Sequence, residues 1–170
     1  MVYKCMYKTP EGFSDIVMSS DGENLTGLFF EGAKGASKHL TDCEEKDFAI
    51  FRETRHWLDL YFSGKMPDFT PRYEMKNLTP FRRKVIEIVN TIPFGETLTY
   101  LDIAKMIAKE SKTERMSAQA VGGAVGWNPI CIVIPCHRVV GSNGNLTGYS
   151  GGIPNKIALL AHEKNTLRMT

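Results

Sequence analysis

Ser117-Ala118-Gln119-Ala120-Val121-Gly122-Gly123-Ala124 is the stretch whose reading decides the fold. Ser117 is a helix N-cap residue, and the helix it opens is almost bare of bulky side chains. Its two adjacent glycines each cost roughly 1 kcal/mol in a helix interior relative to alanine. Such a helix adds little to a core. It lets backbone approach something closely, either a flat surface such as a DNA minor groove or a tightly packed neighbouring helix. The stretch alone leaves both open.

Upstream, two more helices have punctuated starts. Thr79 is an N-cap with Pro80 at the first helical position. Val85, Ile88 and Val89 form the inner stripe of that helix, and Ile92-Pro93-Phe94-Gly95 ends it. Thr99 caps the next, with Asp102 three residues on in a capping-box arrangement. Downstream, the turn-rich segment Gly141–Gly152 precedes a last helix expected over Pro154–Glu163. Three short helices, the last two closely linked, and a turn-rich extension predict a winged helix-turn-helix over residues 77–170.

The first 76 residues have a different texture. Residues 2–8, 14–19 and 25–30 read as short strands punctuated by Gly12, Asp21-Gly22 and Gly27. Glu45 to Phe62 reads as an amphipathic helix with Phe48, Phe51, Leu58 and Tyr61 near helical spacing and Gly64 as its stop. Lys65-Met66-Pro67-Asp68-Phe69-Thr70-Pro71 reads as a linker. The expectation is an α+β protein: a small N-terminal α/β domain of three strands and a helix (1–76), then the mostly helical C-terminal domain (77–170).

Composition narrows the function classes. The 170 residues are 42% hydrophobic and 24% charged, an ordinary globular mix. No apolar run approaches the ~18 to 20 residues that span a bilayer, and the start lacks the apolar core of a signal peptide. A cytoplasmic protein with no membrane partner is expected. The four cysteines, at 5, 43, 131 and 136, form no C-x-x-C pair and are too sparse for a disulfide scaffold. A zinc site from Cys5, His39, Cys43 and His56 is conceivable, but the spacing matches no usual ligand pattern, so no metal is expected. The net charge of +2 is uneven. Residues 1–79 hold 10 Lys+Arg against 13 Asp+Glu (−3), and residues 80–170 hold 11 against 6 (+5). A basic half suits a polyanionic partner, although numbers this small also arise by chance.

The chemistry gathers around Pro135-Cys136-His137-Arg138-Val139-Val140, at the end of the apolar run Ile130-Cys131-Ile132-Val133-Ile134, which reads as a buried strand. A histidine beside a cysteine raises the thiolate fraction at neutral pH, and Arg138 adds positive charge. Successive residues on a strand point to opposite faces, so His137 serves Cys136 only if the chain turns there or a water bridges them. Glu163, on a helix able to fold back, is the natural carboxylate to orient His137. A Cys-His dipeptide alone is more often a structural cysteine beside a surface histidine.

The surrounding motifs decide the matter. Thr79-Pro80-Phe81, Ile92-Pro93-Phe94-Gly95-Glu96-Thr97, Tyr100, Ala120-Val121-Gly122-Gly123-Ala124, Asn128-Pro129, Pro135-Cys136-His137-Arg138-Val139, Gly148-Tyr149-Ser150-Gly151-Gly152 and Leu159-Leu160-Ala161-His162-Glu163 occur in that order. In this succession of motifs the chain resembles the O6-alkylguanine-DNA alkyltransferases over residues 79–163. Residues 1–78 match only in general organisation; the resemblance makes them a ribonuclease-H-like α/β domain.

The resemblance implies single-turnover transfer of a methyl or small alkyl group from the O6 of guanine, with the O4 of thymine as a second candidate, onto Cys136 after the nucleotide is flipped out of the duplex. Cys136 would be nucleophile and acceptor. His137 would act on it through a water, with Glu163 orienting His137. Tyr100 would donate a proton and help turn the target phosphate, and Asn128 would tie the recognition helix to the active-site segment. Val139, Tyr149, Ser150 and Lys156 would line the substrate site, with Lys156 on its closing loop. Ser117, Ala118, Gln119, Ala120, Gly122, Gly123 and Arg138 would face the minor groove. No cofactor is implied, and a monomer is expected.

Two residues depart from the pattern. Gln119 stands where many members carry an intercalating arginine, which implies flipping with weaker DNA affinity. Trp127 stands where a smaller or more polar residue is common. Its expected role is core packing, with a lip on the lesion pocket as the other reading. Two competing functions remain: a lesion binder that does not repair, which the cysteine argues against, and an unrelated Cys-His hydrolase, which leaves the helix-turn-helix unexplained.

Overall fold

The computed structural model describes residues 2–33, 43–112, 116–146 and 148–169. Three N-terminal strands, β1 (Val2–Tyr7), β2 (Ile16–Ser20) and β3 (Leu25–Phe30), form an antiparallel meander. A fourth, β4 (Cys43–Glu45), adds in parallel beside β1 and gives the order β3-β2-β1-β4. The sequence pattern predicts no strand here and starts the helix at Glu45; the helix instead begins at Ala49 and runs to Phe62 (α1). A three-residue strand has no alternation of its own to announce it; the exposed edge of β1 makes it a strand.

Residue types set the layers. Ile16, Met18, Leu28 and Phe30 are buried beneath α1, whose Phe51, Leu58 and Tyr61 face them in one hydrophobic core. Residues 72–74 then run beside β3, with Leu25 N–H donating to Arg72 O (2.9 Å) and Glu74 N–H to Leu25 O (3.0 Å).

The C-terminal helices start where their caps require. α2 (Pro80–Val89) has Thr79 Oγ1 accepting from Arg82 N–H at 3.2 Å. α3 (Tyr100–Glu110) has both halves of its Thr99/Asp102 capping box. α4 (Ala118–Trp127) has Ser117 Oγ accepting from the amides of Gln119 (3.1 Å) and Ala120 (3.3 Å). These helices pack on one another, and two short parallel strands, β5 (Leu98–Thr99) and β6 (Val139–Val140), join α3 to the segment after the cysteine. α5 (Ile153–Arg168) overruns its expected end and lies against both halves. Asn155 on α5 accepts from Ser14 N–H (3.0 Å) and donates to Ser14 Oγ (3.1 Å) and Gly151 O (2.9 Å). No described helix is long and apolar enough to cross a membrane.

Of the residues considered for zinc, His39 lies outside the described residues. Cys5 sits against the Arg55 guanidinium, and His56 stacks on Phe69 at 5.6 Å.

Candidate active site

The apolar run Ile130–Ile134 is not a strand. Only Ile130 bridges the sheet, opposite Leu28, with Cys131 N–H donating to Leu28 O (3.0 Å) and Leu28 N–H to Pro129 O (2.9 Å). Beyond it the chain coils tightly, with Val133 N–H on Cys131 O (2.7 Å) and Ile134 N–H on Ile130 O (3.2 Å). Ile132 sits at φ +67°, a conformation a β-branched residue seldom adopts. A buried coil needs its polar groups satisfied, and Asn128 does this. At the end of α4, its side-chain amide nitrogen faces Ile130 O (3.2 Å), Ile134 O (3.4 Å) and the Cys136 sulfur (3.0 Å), while its oxygen accepts from Ile130 N–H (3.0 Å). One buried residue thus links the glycine-bearing helix to the cysteine.

Cys136–Arg138 forms a single tight helical turn. This meets the requirement that the chain turn between Cys136 and His137. Cys136 and His137 are both buried. His137 Nε2 lies 2.5 Å from Glu163 Oε2, so one ring nitrogen is held by the carboxylate. The other, Nδ1, is buried and has no hydrogen-bond partner among the described residues.

Glu163, on α5, collects donors. Its Oε1 accepts from Gly95 N–H (2.8 Å) and Arg138 Nε (2.8 Å); its Oε2 accepts from the Tyr61 hydroxyl (2.7 Å) and Arg138 Nη2 (3.3 Å) as well as meeting His137. Burial works against the charge, but the hydrogen bonds and charge of His137 and Arg138 win and hold the carboxyl at about 2. His137 is shifted by its burial, which pushes it below 6.5 against the pull of Glu163, so the imidazole is neutral at pH 7. Arg138 balances the carboxylate charge.

Four titratable groups among the described residues surround the sulfur. The neighbouring Cys131 thiol is the main cause that brings Cys136 below the usual thiol range, against burial, with help from the Asn128 amide and the positive charge of Lys156. Cys131 itself is pushed well up and keeps its proton, first through the neighbouring Cys136 and then through burial. Burial raises Tyr100 and Tyr149, and a charge on Cys136 raises both further. A thiolate at Cys136 is therefore favoured by the Asn128 amide at 3.0 Å and by the nearby Cys131 thiol and Lys156 charge.

Other sequence-expected residues fall in distinct places. Tyr100, at the start of α3, donates its hydroxyl to Gly148 O at 3.3 Å. Lys156 lies on α5 and not on a loop; it is fully buried, with Nζ donating to Val139 O at 2.6 Å. Ser150 Oγ is 3.9 Å from Cys131 Sγ, and the Tyr149 hydroxyl is buried without a partner in hydrogen-bonding geometry among the described residues. Trp127 is half-buried, with the Arg82 guanidinium 4.4 Å over its ring, beside a cavity of about 400 Å³ that Cys131 and Ser150 also line. It packs against the hydrophobic core as well as against this arginine. Arg138, expected to face DNA, turns inward to Glu163 and to Ile92 O (2.8 Å), since an arginine beside a buried carboxylate has a stronger partner than solvent.

α4 itself separates the two readings of its glycines. Val121, Ala124 and Val125 are its buried stripe. Gln119, Ala120 and Gly123 are exposed, and an added Cβ at Gly123 would meet nothing within 4 Å. Gly122 would touch only the Tyr100 ring, at an ordinary 3.8 Å. No described neighbouring helix demands these glycines. They leave an open face beside a concavity of about 460 Å³ lined by Tyr100, Gln119, Gly122, Ser142 and Gly148. Ser117 lines no part of this concavity, its hydroxyl being spent on the cap.

Sequence reasoning missed Tyr61, the Gly95 amide and Cys131. Tyr61 reads as part of the core stripe of α1, where its ring does sit; the signal for its second role is that a buried phenol needs a partner.

Comparison with known proteins places this geometry. Residues 80–165 match the family described as 6-O-methylguanine DNA methyltransferase, DNA binding domain. A methylated-DNA–protein-cysteine methyltransferase of Methanosarcina mazei is 40% identical over 154 residues, 90% of this chain and 92% of the relative. One from Methanosarcina barkeri is 39% identical over 168 residues, covering 98% and 100%. The fold superposes on a Mycobacterium tuberculosis structure in complex with DNA with a TM-score of 0.79, at 33% identity and coverage of 96% and 94%. With a buried cysteine, histidine and glutamate arranged behind an open helix, and relatives matching from end to end, the chain belongs to the methylated-DNA–protein-cysteine methyltransferases.

Proposed function

We propose that this protein repairs duplex DNA by moving a methyl or small alkyl group from the O6 of guanine to Cys136, once per molecule. The observation that carries this reading is the cysteine's setting: a buried sulfur held by the Asn128 amide at 3.0 Å, next to a histidine fixed on a buried glutamate. The domains are taken as 1–76 and 77–170, the protein acts as a cytoplasmic monomer, and it enters the minor groove with the open face of α4.

The steps derive from the residues. The thiol proton passes through a water toward His137 Nδ1, the ring nitrogen that Glu163 leaves available. The thiolate attacks the alkyl carbon in line, the carbon–O6 bond breaks, and its electron pair stays with guanine. The Tyr100 hydroxyl supplies a proton to the leaving base, which departs as guanine. Lys156 holds the Val139 carbonyl in place for the base edge. Ser150 and Tyr149 wall the alkyl side. The thioether has no leaving group that water displaces, so the protein is spent. Base opening is assisted by Gln119, which fills the gap without a charge.

Labelled-methyl transfer from duplex DNA tests the reading. Wild type takes up label until one methyl per chain is bound. Cys136→Ala takes up none and still binds the duplex; continued turnover in wild type, or label on Cys136→Ala, overturns it.

A further inference from the structure

We infer that Tyr61, on the N-terminal helix α1, is a positioning residue for the methyl transfer: its hydroxyl fixes the Glu163 oxygen that holds His137. The inference rests on the reading that Glu163 and His137 activate Cys136.

The geometry is specific. Glu163 Oε2 meets His137 Nε2 at 2.5 Å and accepts from the Tyr61 hydroxyl at 2.7 Å. Gly95 and Arg138, which bind Glu163 beside these, are C-terminal; Tyr61 comes from 102 residues upstream of Glu163. Both Tyr61 and Glu163 are buried at 1% exposure. The Tyr61 ring is clamped by Trp57, stacked at 5.6 Å, and by Phe94, edge-on at 5.8 Å. Its own carbonyl meets His162 Nε2 at 2.8 Å, so α1 grips α5 through two adjacent residues of α5. A ring this constrained aims its hydroxyl at one place.

The hydroxyl remains a donor because burial, and then the charge of Glu163, push its pKa well above 10. It shares Oε2 with His137 and with the longer contact from Arg138 Nη2 at 3.3 Å. Without it, the carboxylate oxygen has one donor fewer and pulls harder on His137 Nε2–H. The imidazole then becomes more basic at Nδ1, the atom that would exchange a proton with the sulfur. The other groups facing these residues are Arg138, Lys156 and His162 on α5, the last with its ring 5.2 Å from that of Tyr61, and the Tyr149 phenol, and Tyr61→Phe leaves all of them in place.

The test is Tyr61→Phe in the whole chain, with two readouts. In single-turnover transfer from O6-methylguanine duplex, the acid limb of the pH–rate profile moves up by about half a unit to one unit, or roughly three- to tenfold in rate on that limb, with duplex affinity unchanged. In the DNA-free protein, the His137 ring nitrogens, followed by NMR, titrate at correspondingly higher pH. The NMR arm holds even if the variant is too unstable for the kinetics, because it requires only the folded fraction. A variant that loses thermal stability but keeps the wild-type pH profile and the wild-type His137 titration makes Tyr61 a packing residue and overturns the inference. Wild-type transfer rates in Glu163→Gln would instead remove the relay beneath it.

Discussion

The Glu163 carboxylate is met by hydrogen-bonding groups of four residues, Tyr61, Gly95, His137 and Arg138. It joins α1, the turn after α2, the His137 turn and α5. Glu163→Gln leaves Arg138 and His137 without their anion in a buried setting. Breaking such a pair costs about 3–5 kcal/mol. Denaturant unfolding reads that loss, and transfer slows by about a hundredfold or more as His137 loses its orientation. A rate within about twofold of wild type would remove Glu163 from the relay. The same pair sets the acid stability. Glu163 is held near 2 when folded against an ordinary 4.5, so its stabilisation is whole above pH 4.5 and disappears as pH falls toward 2. The folded His137 titrates below its ordinary 6.5, so the unfolded chain takes up that proton first, and stability falls as pH drops below 6.5. Thermal melts from neutral pH into the acid range show both phases; His137→Gln removes the first. At this scale the sequence identifies Cys136, His137 and Glu163 as types in an order. It does not show that Arg138 and Lys156 turn inward, because that depends on which charges the fold buries together.

The elements were legible where local chemistry decides them. Thr79, Thr99 and Ser117 each cap the helix their side chains announce. The run 130–134 was not legible, since an apolar run of that length fits a strand or a buried coil equally. What makes it a coil is Asn128, which supplies partners that a sheet would otherwise give. β4 and the late start of α1 were hidden for the opposite reason: the pairing edge lies far upstream, in β1. The open face of α4 gives two predictions. Gly123→Ala raises stability by about 0.5–1 kcal/mol, because nothing lies within 4 Å of the new methyl. Thermal or denaturant unfolding measures it, and a loss would mean that the face is packed. Gln119→Arg tightens duplex binding and steepens its salt dependence by about one unit of log–log slope. Titrations across a range of salt concentrations read this, and unchanged affinity and slope would place Gln119 off the DNA.

Across the whole molecule, the two halves share one hydrophobic core, and the site lies where they meet. α5 makes the joint. Asn155 holds Ser14 and Gly151, His162 holds the Tyr61 carbonyl, and Glu163 holds the Tyr61 hydroxyl. Asn155→Ala leaves the Ser14 amide without its acceptor and the buried Gly151 carbonyl short of a donor, a loss of about 1–3 kcal/mol by denaturant unfolding. Its effect on transfer comes through Ser150 and Tyr149, which lie in the same turn. The sequence shows an acidic half and a basic half and a linker between them. It does not show that a phenol from the first reaches the carboxylate of the second, because that contact spans 102 residues.

The most direct measurement is the mass of the intact protein after incubation with a duplex carrying O6-methylguanine, followed by fragment mapping of the peptide that contains Cys131 and Cys136. Repair by transfer predicts a gain of one methyl group per chain, saturating there, with the methyl on Cys136 and unmodified guanine left in the DNA. An unchanged protein mass with the duplex still methylated, or a methyl on any other residue, would contradict it.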